Sequence, residues 1–177
     1  MLDWSVLLSI APYNWSDIGI ALLCGSIIGI ERQLRGKPAG IRTSILIIVG
    51  TYLFIATSMS INSDMTDPSR IIGQVITGVG FLGAGVMLTR DGVVVGVTSA
   101  ATIWVLAAIG VSIGIGHGVV AIKLSLFVIA VLTGIDFLED SSSAMRRGVH
   151  QTYQDWFGRK KGRLFRRRKL NKTPKSD

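Results

Sequence analysis

The chain has 177 residues, 49% of them hydrophobic, 17% charged, a formal net charge of +8 and a mean hydropathy of +0.50. That balance excludes a water-soluble domain with a charged surface and points to a membrane protein, because the charge is unevenly placed: residues 1–138 hold seven Lys or Arg and residues 139–177 hold the other twelve. A single cysteine, Cys24, excludes an intrachain disulfide and a cysteine-based metal cluster.

Residues 1–14 are apolar but short and interrupted by Pro12 and Asn14, which predicts an interfacial segment with Trp4, Tyr13 and Trp15 at headgroup level. Asp3 precedes any basic residue, so a cleavable signal is not expected. The transmembrane domain is expected over residues 15–138, with spans at about 15–32, 43–61, 70–88, 97–115 and 119–137. Gly25 and Gly29 form a Gly-x-x-x-Gly face in the first span. The loop that follows carries Arg32, Arg35, Lys37 and Arg42, and Gly36, Pro38 and Gly40 stop a helix from running through it.

From Arg70 to Trp104 two apolar segments are joined at a Thr-Arg-Asp-Gly turn. Gly73, Gly78, Gly80, Gly83, Ala84 and Gly85 offer a slim surface for close helix packing, and Thr98, Ser99, Ala100, Ala101 and Thr102 offer a matching one. Gly78-x-Gly80-x-x-Gly83 also fits the dinucleotide-binding glycine pattern. That pattern requires a preceding strand and an acidic residue about 20 positions on, where this chain has Thr102, Ile103 and Trp104. Residues 86–97 fit a turn between helices, with a hairpin or re-entrant form as the alternative, since β-branched runs flank Asp91-Gly92.

With the N-terminus outside, 17 of the 19 basic residues fall on the cytoplasmic side, leaving Arg70 outside and Lys123 free to snorkel. The expected architecture is therefore all-α, a polytopic membrane protein with about five transmembrane helices, N-out and C-in. Residues 139–177 form a basic tail in which Trp156, Phe157, Leu164 and Phe165 interleave with the charges. Binding to anionic lipid at the membrane surface is expected, and nucleic acid is not required as a partner.

Five motifs in order, Gly29-Ile-Glu-Arg-Gln33, Arg35-Gly-Lys-Pro-Ala-Gly-Ile-Arg-Thr43, Ser69-Arg-Ile-Ile-Gly-Gln74, Gly78-Val-Gly-Phe-Leu-Gly-Ala-Gly85 and Val97-Thr-Ser-Ala-Ala-Thr-Ile-Trp104, together resemble the MgtC/SapB family over roughly residues 17–138. The resemblance implies a bacterial inner (plasma) membrane protein linked to magnesium homeostasis and to virulence through intracellular survival. It also implies, for some members, the F-type ATP synthase as a partner. Longer members carry a soluble ACT-like domain after the membrane part. The basic tail is too short and too charged for one, which suggests a short form.

Mg²⁺ is usually held through one or two carboxylates with several waters retained. The spans place no acid at mid-depth, and the polar groups there, Gln74, Thr77, Thr98, Ser99 and Thr102, more commonly bond between helices. A metal site is not identified, and Mg²⁺ enters only as a ligand or transported ion. On the cytoplasmic face, Glu31, Arg32, Arg35, Arg42, Arg90, Asp91 and Asp136 are expected to converge, as end-of-helix anchors or as a recognition surface for a partner protein or anionic ligand. His117 and His150 fall on opposite sides, and no nucleophile, base and orienting group converge, so an enzyme is not expected. Two functions remain: a regulator of other membrane proteins, or a Mg²⁺ or other cation transporter or channel. Packing through Gly25, Gly29, Gly78, Gly80, Gly83 and Gly85 suggests a homodimer in either case.

Overall fold

The computed structural model describes residues 9–61, 67–90 and 93–141. Within them lie five α-helices and one short β-hairpin: α1 (Trp15–Leu34), α2 (Ile41–Ser60), α3 (Pro68–Gly85), β1 (Leu88–Arg90), β2 (Val93–Val95), α4 (Val97–Gly114) and α5 (Gly118–Ser141). The chain divides into two compact units, Met1–Ala130 and Val131–Asp177. The bundle described next belongs to the first, and the described part of the second is the C-terminal portion of α5. The expected basic tail lies outside the described residues.

Long apolar runs become helices because lipid provides no hydrogen-bond partner for an exposed backbone. α3 begins where Pro68 occupies the first helical position, with the Asp67 carboxylate accepting from the Ser69 amide at 2.9 Å. It ends at Gly85, short of Leu88, because Leu88–Arg90 pairs antiparallel with Val93–Val95. The connection between α3 and α4 thus contains a hairpin, favoured by three consecutive valines. Gly96 follows it with φ +93°, a left-handed conformation in which glycine avoids the Cβ penalty.

α2 is central, packed on α1 and on α4, while α3 lies mainly against α4. The close contacts are made at glycines. A Cβ on Gly25 would sit 2.7 Å from the Ile45 Cα, and one on Gly110 would sit 2.7 Å from the Ile48 carbonyl oxygen. Gly114 meets Ile55 in the same way, one turn along, so α2 and α4 run parallel and in step. Successive helices alternate in direction. Residues 31–42, the end of α3 and the start of α4 therefore share one end of the bundle, and Asp67, Arg70 and His117 lie at the other.

The polarity is inverted relative to a water-soluble protein. Leu46, Phe54, Phe81 and Phe127 are each at least 65% exposed, whereas Ser44, Thr51, Ser99, Thr102 and Ser125 are buried. An apolar belt of that extent needs an apolar surrounding. Ile41–Ser60, Val97–Gly114 and Gly118–Ile135 are long and apolar enough to cross a bilayer. The fold is an all-α membrane protein.

Candidate functional site

The last turn of α1 carries the charged centre. Glu31 accepts from Arg32 twice, Nε to Oε2 at 2.5 Å and Nη2 to Oε1 at 2.7 Å, and its Oε1 also meets Arg35 Nε at 2.6 Å. Glu31 and Arg32 are only 9% and 2% exposed, whereas Arg35 reaches the surface. One carboxylate thus serves two guanidinium groups. Such charge-assisted bonds are the strong kind, and a buried arginine of this sort depends on them. Arg32 also stands near the negative end of the α1 macrodipole.

The segment that follows is built to return tightly. Gly36 and Ala39 adopt φ +61° and +63°, the Lys37 amide donates to the Arg32 carbonyl at 2.9 Å, and the Ser44 hydroxyl donates to the Ala39 carbonyl at 3.1 Å. Gln33 Oε1 accepts from the Ile41 amide, an orphan donor at the start of α2. Arg35, Lys37 and Arg42 are left exposed at this end. Of the seven residues of the expected cluster, four are described: Glu31, Arg32, Arg35 and Arg42. Arg90 ends β1 and Asp136 lies in α5, but their side chains, and all of Asp91, lie outside the described residues.

The intramembrane polar residues separate into two sets. Ser99 and Thr102 are buried in α4, and Gln74, Thr77 and Thr98 are exposed. Thr77 donates to the Gly73 carbonyl at 2.9 Å and Thr102 to the Thr98 carbonyl at 2.8 Å, so both hydroxyls are spent on their own helix. Of the α3 glycines, Gly83 faces Ala100 at ordinary contact, and Gly73, Gly78, Gly80 and Gly85 have nothing within 4 Å of an added Cβ. Among the described residues, then, Gly83 is the α3 glycine that meets the facing slim surface. Cys24 is fully buried. Among the described residues no group of three or more His, Cys, Asp or Glu is placed to hold a metal ion.

Sequence reasoning missed three features. Gly110-x-x-x-Gly114 has the spacing of Gly25-x-x-x-Gly29 and packs α4 on α2, inside the span expected at 97–115. Tyr13, read only as a headgroup-level residue, also shares a hydrogen bond with the Thr57 hydroxyl at 2.8 Å, with its ring against Tyr52. Tyr52 in turn accepts from the Asn14 amide at 3.0 Å, tying the entry of α1 to α2. The third feature is Ser58, a buried hydroxyl for which no periodic signal exists.

The family profile that matches the chain is that of the MgtC family, over residues 18–141. The chain belongs to the MgtC family. Among curated relatives, the protein named "Putative magnesium transporter YhiD" of Escherichia coli (strain K12) is 46% identical over 127 residues, 66% of this chain and 59% of that one. Protein MgtC of Brucella abortus (strain 2308) is 41% identical over 135 residues, 74% of this chain and 56% of the relative. Protein MgtC of Salmonella typhimurium (strain LT2) is 45% identical over 97 residues, covering 55% and 41%. The chain spans less than two thirds of the length of these relatives. No solved structure matches it. The family match includes the Glu31–Arg42 segment and all five helices to Ser141, apart from the first three residues of α1.

Proposed function

We propose that this MgtC-family chain is a five-span, N-out and C-in protein of the bacterial inner membrane that serves magnesium homeostasis by regulating other membrane proteins, and that it is not an enzyme. The reading is carried by Glu31. A carboxylate at the end of a span is the natural first ligand for Mg²⁺. Here both its oxygens are engaged by Arg32 and Arg35, and the net positive end that results suits an acidic partner surface and opposes an arriving cation. Arg35, Lys37 and Arg42 are the exposed contact residues. The F-type ATP synthase is one candidate partner, a role in virulence would follow from the same regulation, and the basic tail would hold anionic lipid.

The glycines of α3 that meet nothing within the chain support a homodimer. A second reading, a Mg²⁺ transporter or channel, is favoured by the name of the Escherichia coli relative and by Gln74, which lines a groove between α2 and α3.

Liposomes loaded with a magnesium-sensitive dye separate the two. The regulator predicts no protein-dependent influx, with or without a membrane potential, from folded and inserted protein. It also predicts that the Arg35→Ala, Arg42→Ala double variant inserts normally yet loses its effect on growth in low magnesium and its co-purifying partner. Saturable influx that falls in Gln74→Ala or Asp136→Asn would establish the transporter instead.

A further inference from the structure

The groove between α2 and α3 has a volume of about 890 Å³. Most of its wall is apolar, with Leu46 and Phe54 from α2 and Val79 and Leu82 from α3. Along α3 it extends from Ile71 to Leu82, roughly 17 Å at about 1.5 Å per residue, which is close to half of a hydrocarbon core about 30 Å thick. Its other end is polar. There Ser58 and Gln74 line it, and a second hollow of about 650 Å³ adjoins at Gln74 and Gly78 and reaches Arg70.

Ser58 is the informative residue. It is 8% exposed, and among the described residues its hydroxyl is the one buried side-chain polar atom without a hydrogen-bond partner. Native interiors seldom leave such an atom unmatched, so a partner other than the described residues is indicated. The groove therefore offers a cation at the mouth, an unmatched hydroxyl and an amide just inside, and a leaflet-deep apolar trough beyond. Among the described residues the acidic group beside Arg70 is Asp67, whose Oδ1 accepts from the Ser69 amide and whose charge also acts on Arg70.

We propose that the α2–α3 groove binds one anionic glycerophospholipid, its phosphate at Arg70, its ester oxygens at Gln74 and Ser58, and an acyl chain along Leu46, Phe54, Val79 and Leu82. This site stands whether the chain regulates or transports.

The test is native mass spectrometry of the full chain in detergent, titrated with phosphatidylglycerol. One lipid per chain is expected, bound at least tenfold more tightly than phosphatidylcholine. Gly78→Leu places a side chain in the groove at a position with nothing within 4 Å, and Gly50→Leu does the same from the opposite wall. Either filler, and Arg70→Gln, should weaken phosphatidylglycerol at least tenfold, while Gly19→Leu, on the exposed side of α1, should not. Two fillers guard against one that fails to fold, which circular dichroism and elution volume reveal. Equal binding by all variants would reduce the site to bulk lipid contact and overturn the proposal. Displacement of the lipid by millimolar inorganic phosphate, with both fillers inert, would make it a free-anion site and also overturn it. So would fillers that dissociate a dimer and leave lipid affinity unchanged.

Discussion

Gly29 of α1 lies against the backbone of Ile41 at the start of α2, so closely that a Cβ built on it would stand 2.5 Å from the Ile41 Cα and 3.2 Å from the Ser44 Cβ. Because the obstacle is main chain, it has no rotamer by which to give way. Replacing glycine by alanine in a helix gains about 0.5–1 kcal/mol in backbone entropy, whereas forcing extra volume into a packed site costs about 1–3 kcal/mol. The steric term is the larger. Gly29→Ala should destabilise the protein, and Gly19→Ala, where nothing lies within 4 Å, should be neutral or stabilising. Unfolding midpoints in one detergent check the pair, and equal midpoints would contradict the packing assignment.

Glu31→Gln keeps the side-chain shape and removes the charge shared by Arg32 and Arg35. Since Arg32 is 2% exposed, its guanidinium would be left buried without that counter-charge, at a cost of about 3–5 kcal/mol. Arg35 is partly solvated, and its pair with Glu31 should contribute no more than about 1 kcal/mol. The expected order of stability is wild type, then Arg35→Ala slightly below, then Glu31→Gln far below. Denaturant titration of the three proteins gives it directly.

The all-helical membrane class was legible because runs of about 20 apolar residues leave the backbone no other solution in lipid. The third span was expected from about Arg70, whereas α3 starts at Pro68 behind the Asp67 cap. Which side chains turn inward was not legible. α4 is apolar around its whole circumference, so no stripe separates buried Leu106 and Ile113 from exposed Trp104 and Ala108. Nor does residue type tell that Arg32 is buried while Arg35, three positions on, is not. That distinction is set by the return of the chain through Gly36 and Ala39. Cys24, a natural choice for crosslinking copies of the chain, is fully buried, so its failure to crosslink would say nothing about a dimer.

Asp67 predicts an acid-sensitive helix start. The hydrogen bond from Ser69 holds its carboxyl below the usual aspartate range, with a smaller contribution from the charge on Arg70. A depressed folded pKa means that the cap stabilises α3 fully above the ordinary carboxylate value of about 4. Its contribution is then lost as pH falls through the lowered value. Protection of the first turn of α3 against hydrogen exchange, taken relative to the intrinsic exchange rate at each pH, should fall below about pH 4 in the wild type. In Asp67→Asn, which retains a capping oxygen, that protection should change little with pH, and in Asp67→Ala it should be low at every pH.

Gly96 should be the least replaceable glycine outside the helices. Its φ of +93° is unfavourable for any L side chain, and a Cβ there would collide with the Val86 carbonyl oxygen. Gly36 also has a positive φ, +61°, but nothing lies within 4 Å of it. Gly36→Ala should therefore carry only the left-handed penalty of about 1–2 kcal/mol. Gly96→Ala adds the collision and must displace either the hairpin exit or the α4 start, where the Gly96 carbonyl accepts from the Ala100 amide at 2.9 Å. Faster exchange at Ala100 and across Val93–Val95 in Gly96→Ala, with Gly36→Ala unchanged there, is the expected result. Equal exchange in both variants would mean that the hairpin is not held by this junction.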